Sequence, residues 1–475
     1  MQADFNDQGS KTMKNRALPT PLLSLLAALV LAGCAAAPPI APVVDVPAQF
    51  KEAPASWKAA EPAEAQARGE WWRAFRDPAL DALIEQASTA NADLAAAAAR
   101  VKQARALAGV EAAARVPQLQ AGFGAERAGT GAGVQRNAFT GLIGASYELD
   151  LFGRVAASVD AATADADRSE ALHRSVLLAL KADVAQTYFR LRGADAERAL
   201  LQRTAALREE NVRINQRRFE LGDVGELDVV RARTELALTR SDLHALERQR
   251  AQLEHALATL LGRPAPAFAL DASPLAQAAF LPAIPAGLPS ALLERRPDIA
   301  AAQYAMMAAQ SRVGVARSAL FPAIRLTAAG GVESADLSEL LRWSSRSWAL
   351  GALAALPLLD GGRNRAVIAR QQAVLEEAGE QYRGQVLRAF AEVEDNLVGV
   401  RTLASQIDAL DEALASARRS VELAESLYRA GRGSYLELLD AQRNLAAAER
   451  SAVQLRSARA VSTVALVRAL GGGWQ

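Results

Sequence analysis

Cysteine occurs once, as Cys34, in a chain of 475 residues. One thiol excludes a disulfide framework and any cysteine-cluster metal site. Histidine is almost as scarce. His173, His244 and His255 are the only three, all in stretches predicted to be helical, and no two stand four apart. No zinc or iron site is expected. No glycine-rich phosphate loop and no nucleophile elbow appears, so the chain does not read as an enzyme. The charge is balanced, with 54 basic and 53 acidic side chains, and 51 of each once residues 1–33 are set aside. Without a basic footprint, no nucleic-acid partner is expected. Past the N-terminal leader no apolar run is long enough for a membrane-spanning helix. Any further contact with a bilayer must come from strands.

What is present is helix-forming. Half of the residues are hydrophobic, yet aromatics make up only 5%, and Ala, Leu, Glu, Gln and Arg dominate, the composition of long helices. At the N-terminus, Lys11, Lys14 and Arg16 precede an apolar run from Leu22 to Ala32, the pattern of a secretory signal over residues 1–33. A start at Met13 would give that leader a usual length. It ends Leu31-Ala32-Gly33-Cys34, which resembles the bacterial lipobox at 31–34. That resemblance implies acylation of Cys34 as the first mature residue, a stable anchor without a spanning helix. The only non-protein group expected is therefore a covalent lipid such as palmitate on Cys34. Ala35, in place of Asp, implies sorting to the outer membrane. Residues 34–79, with Pro38, Pro39, Pro42, Pro47 and Pro54, are expected to form an extended, lipid-anchored tether.

The remainder is written twice. Gly153-Arg154 recurs as Gly362-Arg363, Gly222 as Gly431, Leu227 as Leu436, Ala232 as Ala441, Arg250 as Arg459 and Leu261-Gly262 as Leu470-Gly471, always 209 residues apart. Upstream, Asp93 matches Asp298 and Pro117 matches Pro322 at a spacing of 205. Constant spacing over most of both halves reads as an internal duplication. The first repeat spans 80–262 and the second 290–471, joined by a linker at 263–289 and followed by a tail at 472–475. In each, a helix (80–116 in the first) leads to a strand pair and then a very long proline-free helix, 154–221 and 363–430. Sixty-eight helical residues measure about 100 Å. A tight turn leads to a helix half as long, 226–261 and 435–470. Leu236, Leu243, Arg250 and Leu257 recur every seven residues, with Thr239, Leu246, Leu253 and Leu260 three further on, a coiled-coil seam. Arg250 and Arg459 interrupt both seams, and either snorkel to solvent or face a wet interior.

The strand regions are about 117–149 and 322–357. Pro117 opens Gln118-Leu119-Gln120-Ala121-Gly122-Phe123-Gly124, and in the second repeat Trp348, Leu350, Ala352, Ala354 and Leu356 share one parity. Segments of about ten residues with weak alternation suit a transmembrane β-barrel. Two hairpins give four strands, too few to close around anything, and open edges are not tolerated in lipid. The barrel must be shared among copies. Two copies would give 8 strands and three would give 12, both allowed counts.

Four motifs bear on identity: Trp71-Trp72-Arg73-Ala74-Phe75; Glu148-Leu149-Asp150-Leu151-Phe152-Gly153-Arg154; Gly287-Leu288-Pro289-Ser290-Ala291-Leu292-Leu293-Glu294-Arg295-Arg296-Pro297-Asp298-Ile299; and Tyr428-Arg429-Ala430-Gly431 with Tyr435-Leu436-Glu437-Leu438-Leu439-Asp440-Ala441-Gln442. Over the whole mature chain these resemble the TolC-like outer-membrane efflux family, in its NodT-type RND lipoprotein branch. The resemblance implies a mainly α fold with a membrane β part. It implies a homotrimer, whose twelve-stranded barrel in the outer-membrane lipid of a Gram-negative cell continues into a long periplasmic α-helical barrel. It implies a passive exit duct for drugs or other small solutes, working with a periplasmic membrane-fusion adaptor and an inner-membrane RND-type transporter. Two alternatives are the exit duct of a type I protein-secretion system and a coiled-coil envelope scaffold without a pore.

Gly222 and Gly431 suit the left-handed residue that ends a helix, and Asp223, Gly225, Arg432, Gly433 and Ser434 complete short turns. In the family such turns meet the adaptor, so Gly222, Asp223, Gly225, Gly431, Gly433 and Ser434 are the expected docking turns. By residue-wise match, Leu436 and Asp440 take the apolar and acidic positions of a periplasmic gate, which opens as the helix tips move apart like an iris. Four residues apart, they share one helix side, and three copies of Asp440 would form an acidic ring. Arg429, Arg432 and Glu437 are candidate latch partners. Read without the family, Asp440 is a solvated residue beside Arg443, and Leu436 ordinary coiled-coil packing.

Overall fold

The computed structural model describes residues 46–47, 49–52, 69–129, 131, 135–275, 281–282, 284 and 295–472. The leader, Cys34, most of the proline-rich stretch and residues 287–294 of the third motif lie outside the described residues. Two units are present. One consists of Leu119–Arg154 and Gly314–Asn364, and the other takes in the remaining described chain.

The second unit is helical. Asp77 caps α1 (Pro78–Ala90), its carboxylate accepting from the Ala79 and Leu80 amides at 3.0 and 3.3 Å, with Pro78 in the first turn where its missing N–H costs nothing. The single helix expected over 80–116 is broken at Asn91. Its Oδ1 accepts the Leu94 amide at 2.9 Å and starts α2 (Ala92–Ala112), while its Nδ2 donates to the Leu260 carbonyl at 3.0 Å. Asn competes with the helix backbone for hydrogen bonds and so works as a new cap. The long helices are α3 (Arg154–Glu220) and α6 (Arg363–Arg429), 67 residues each, and the shorter α4 (Glu226–Leu260) and α7 (Tyr435–Ala469) have 35 each. Every one of these boundaries falls 209 residues from its counterpart. A further helix, α5 (Pro297–Ser318), precedes the second strand pair.

The stretch read as a tether is not extended throughout. Phe50, Trp71, Trp72 and Phe75 are buried in the main helical core with Leu80, Ile84, Leu257, Leu261 and Leu466. The amides of Lys51 and Glu52 donate to the Glu394 carboxylate at 2.7 and 3.0 Å. Aromatic area outweighs the proline content here, because such side chains bury the most apolar surface in a chain that has few.

On the α4 seam Leu236, Thr239, Leu246 and Leu257 are buried. Arg250 follows neither course expected for it. Its Nε donates to Asp195 at 2.7 Å, its Nη1 to Glu254 at 3.3 Å and its Nη2 to the Leu270 carbonyl at 2.7 Å. The fully buried Asp195 carboxylate also accepts from Arg192 at 3.2 Å and from the Ser273 amide at 3.0 Å. The network straps the inter-repeat linker onto α3 and α4. At the positions 209 residues later stand Ala404 and Thr463, and the Nε of Arg459 has no hydrogen-bond partner among the described residues.

The first unit is one antiparallel sheet in the order β1-β2-β3-β4, built from β1 (Gln118–Gly129), β2 (Gln135–Leu149), β3 (Ala323–Ser334) and β4 (Arg346–Ala355). The last strand stops before 357 because Pro357 has no N–H for the ladder. Register fixes the faces. Phe139 lies opposite Ser334, Ile143 opposite Gly330, Tyr147 opposite Leu326, and Leu326 opposite Ala352. One face therefore carries Leu119, Phe123, Ile143, Leu326, Val332, Trp348 and Leu350, with Arg127 and Arg346 at its hairpin end, and the other Gln120, Glu126, Thr140, Arg325, Thr327 and Glu333, with Leu142 and Leu353 among them. Phe139, Trp343 and Trp348 mark the hairpin end, and Tyr147 with the stacked pair Phe152 and Phe321 (4.9 Å) marks the other. An apolar face between aromatic girdles, backed by a polar face, is the signature of a strand set between lipid and water. At the second end Arg154 starts α3 and forks onto Glu148, Nε to Oε1 at 2.6 Å and Nη2 to Oε2 at 2.9 Å.

Removing the Asp195 carboxylate leaves the buried Arg192 guanidinium without a counter-charge, holding the Asp271 carbonyl at 2.6 Å, and leaves Arg250 with Glu254 and the Leu270 carbonyl. Asp195→Ala is expected to lower stability by roughly 3–5 kcal/mol, and Asp195→Asn by less, as followed by loss of helical circular dichroism in denaturant.

Candidate gate at the helical turns

Both turns are built the same way. Gly222 (φ +79°) and Gly431 (φ +67°) occupy the left-handed region. The amide of Gly222 donates to Phe219 at 3.0 Å and that of Asp223 to Arg218 at 2.8 Å; Gly431 donates to Tyr428 at 3.1 Å and Arg432 to Leu427 at 2.9 Å. These are paired Schellman bonds that satisfy the last carbonyls of α3 and α6. The re-entries differ. Gly225 starts α4 without a side-chain cap. Ser434 starts α7 with a capping box, its Oγ accepting the Glu437 amide at 3.2 Å and its own amide donating to the Glu437 carboxylate at 2.9 Å.

Leu436 and Asp440 lie on the exposed side of α7, Leu436 at 47% exposure, while Tyr435, Leu438 and Leu439 on the opposite side are buried. Within the chain Leu436 is thus not seam packing. Asp440 accepts from Asn444 at 3.3 Å, not from Arg443. The proposed latch residues are locally engaged in part: Glu437 in the capping box, and Arg429 with Glu425 at 2.6 Å. Arg432 is exposed and forms no ion pair among the described residues.

The contacts that hold the two tips together are ones the sequence reading missed. Glu235 on α4 is buried and accepts from Arg208 of α3 through one oxygen and from Arg443 of α7 through the other, the Arg443 Nε at 2.9 Å. Asn211 donates to Gln442 at 2.9 Å, and the Tyr428 hydroxyl donates to the buried Asn215 at 3.1 Å. The Arg218 guanidinium sits 4.9 Å from the Tyr428 ring, and Tyr428, Tyr435, Leu439, Ala232 and Val212 form a small core. A signal existed. Ala232, Glu235 and Thr239 are spaced as one helix stripe, so a carboxylate in the stripe needed a buried cation.

Burial alone would raise the Glu235 carboxyl, but the Arg443 hydrogen bond and the Arg208 charge outweigh it and hold the group below its ordinary value. Burial pushes the Tyr435 phenol up to about 12, keeping it neutral.

The profile of the outer membrane efflux protein family matches residues 83–263 and again residues 288–472. The chain belongs to the outer membrane efflux protein family. The pyoverdine export outer membrane protein OpmQ of Pseudomonas aeruginosa is 36% identical over 467 residues, covering 95% of this chain and 97% of that protein. The cation efflux system protein CusC of Escherichia coli is 34% identical, covering 96% and 99%. Among solved structures, the outer-membrane channel OprN superposes with a TM-score of 0.84 at 29% identity, over 91% of this chain and 98% of that one. CusC superposes with 0.81 at 32% identity, over 92% and 100%. The protein is located in the outer membrane, with a periplasmic helical part, and is similar throughout to efflux exit ducts.

A carboxyl depressed by folding stabilises above its unfolded value, about 4.3, and that stability is lost as pH falls through the depressed value. Hydrogen exchange at Tyr435–Leu439 is expected to accelerate as pH falls below about 4, after correction for intrinsic rates. Glu235→Gln should flatten that dependence.

Proposed function

We propose that this protein is the outer-membrane exit duct of a tripartite efflux pump. Three copies close a twelve-stranded barrel, and their helices form a periplasmic tunnel. The single observation that carries this reading is the four-stranded sheet itself, apolar on one face, polar on the other and open at both edges. In lipid such edges need partners, and further copies of the same chain supply them. The spacing of 209 residues between matching helix boundaries, and a family profile matched twice, support an internal duplication and hence a quasi-sixfold tunnel. Cys34 carries the lipid anchor. A periplasmic adaptor docks at the turns around Gly222 and Gly431, and an inner-membrane RND-type transporter supplies the driving force. The duct itself transforms nothing. Relatives named for pyoverdine export, cation efflux and toluene efflux are each at least 34% identical to this chain over at least 95% of it, which supports a permissive bore with selection at the pump.

At rest, three copies of Leu436 and Asp440 narrow the periplasmic end. Opening swings the α6–α7 tip away from α3–α4, and the contacts that must part are Tyr428–Asn215, Gln442–Asn211 and Arg443–Glu235. Hydrogen bonds to charged groups contribute about 1.5–3 kcal/mol each. A clamp present only in the closed state, weakened by that amount, raises the open population about ten- to a hundredfold.

Purified protein in planar bilayers is expected to give discrete single-channel steps and to migrate as a heat-sensitive trimer; a poreless scaffold would give neither. In cells, Glu235→Gln, which weakens the clamp, should admit large antibiotics that the outer membrane excludes. Unchanged uptake would remove the gate assignment.

A further inference from the structure

The two hairpins share one internal register. Subtracting 205 from β3 positions and 209 from β4 positions turns the β3–β4 pairs Ala329 with Ala349, Ala328 with Leu350, and Arg325 with Leu353 into 124 with 140, 123 with 141, and 120 with 144. Those positions do lie against each other in β1 and β2. A Cβ built on Gly124 meets the Thr140 hydroxyl at 2.8 Å, one on Gly141 meets the Phe123 ring at 3.4 Å, and one on Gly144 meets the Gln120 side chain at 3.7 Å. The offsets found at the helix boundaries and the prolines therefore hold inside the sheet.

The seam between the hairpins, β2 on β3, has no counterpart within one chain. Its counterpart is β4 on the β1 of a second copy. We infer that β4 of one chain pairs antiparallel with β1 of the next in the register obtained by carrying the β2–β3 pairs across the same offsets, Ala352 opposite Ala125 and Leu353 opposite Gly124. The full set runs from Trp348 opposite Gly129 to Ala355 opposite Gly122, eight pairs from the eight observed between Phe139–Ser334 and Ser146–Thr327. This rests on the proposed closure of the sheet among copies and deepens it.

Three features support the register. All eight pairs fall inside the strands as they stand, β1 ending at Gly129 and β4 at Ala355. The apolar faces stay on one side, because Trp348, Leu350, Ala352 and Ala354 meet Gly129, Arg127, Ala125 and Phe123, with Arg127 the one charged interruption near the hairpin end. A slip of one residue would put Trp348 and Leu350 on the face of Glu126 and Gln120. Finally, large groups meet small ones, Trp348 with Gly129, Leu353 with Gly124 and Phe123 with Ala354. The observed seam does the same, where Gly331 receives Leu142.

The test is disulfide trapping in the full-length protein, whose only native cysteine is Cys34. Directly opposite residues have Cα atoms about 4.5–5.5 Å apart, within disulfide reach, and a slip of two residues gives about 7–8 Å. Ala352→Cys with Ala125→Cys, and Leu353→Cys with Gly124→Cys, sample both kinds of cross-strand site. Ala352→Cys with Phe123→Cys or with Arg127→Cys are the slipped sets. Ile143→Cys with Gly330→Cys, the intrachain template, shows that oxidation proceeds. At least one in-register set should give covalent, thiol-reversible trimers on denaturing gels, several-fold above either slipped set. A slipped set that matches or exceeds it overturns the register, as does a trapped template with no interchain product. Sizing in mild detergent before oxidation separates the causes. A trimer with the wrong cross-links sinks the register alone, whereas a monomer sinks the closure as well.

Discussion

The two unpaired edges of the sheet govern the rest of the structure. β1 has a neighbour only in β2, and β4 only in β3. Outside water, each unpaired N–H or C=O costs several kcal/mol. An edge of ten residues is therefore untenable in a bilayer, whatever the side chains do. No helix among the described residues is long and apolar enough to cross a membrane. Each chain has two long helices, one from Arg154 and one from Arg363, for its four strands. The number of helical columns is then tied to the number of strands.

Matching positions in the two halves hold different chemistry. Asn91 reaches the Leu260 carbonyl through its amide, and Arg296, 205 residues later, reaches the Ala469 carbonyl at 3.2 Å while pairing with Asp298 and Glu392. Both tie the start of one helix to the end of another, with a longer and charged device in the second half. At the tips the divergence runs the other way. Glu235, which receives both arginines, has Asn444 at the position 209 residues later, and Asp242, the partner of Arg450, has Ser451. The ionic clamp therefore belongs to the contact of the second helix pair on the first within a chain. In the proposed assembly of copies, the equivalent contact from one chain to the next would have the neutral Asn444 and Ser451 at these positions. A tunnel of near-equal columns would in this way have two kinds of seam.

Much of this was legible in the sequence because it follows from spacing and backbone rules. Gly222 and Gly431 announced the ends of helices of 67 residues, since a left-handed residue at that point favours glycine. The strands were legible from Pro117, Pro322 and the parity of Trp348, Leu350 and Ala352, even though Ala and Gly form strands poorly. The kink at Asn91 was not, because an asparagine in an alanine-rich helical stretch becomes a cap only when a partner such as the Leu260 carbonyl holds it. Arg250 was misjudged for a similar reason. Its partners Asp195 and the Leu270 carbonyl lie 55 and 20 residues away in sequence, and heptad spacing contains no information about either. Leu436 and Asp440 were placed by resemblance, and the structure adds that both lie on the side of α7 turned away from its own core.

The clamp at the tips also limits how such a gate can be opened. Glu235 binds two cations where little water reaches, so separating Arg443 leaves a buried carboxylate with only Arg208. No single collision supplies that energy cheaply, and a docking partner can do so only by binding the swung-out tip more tightly than the closed one by a similar amount. The exposed acid at 440 works in the opposite sense. Three such carboxylates brought together at a narrow end repel one another and raise the closed state, while Arg443 hydrogen-bonds Glu235 and offers the acid of its own chain only its nearby charge. On the proposed reading the closed state is a balance between a clamp inside each chain and a repulsion between chains. The clamp can then be released one protomer at a time, and the first tip to move takes two of the three pairwise repulsions with it.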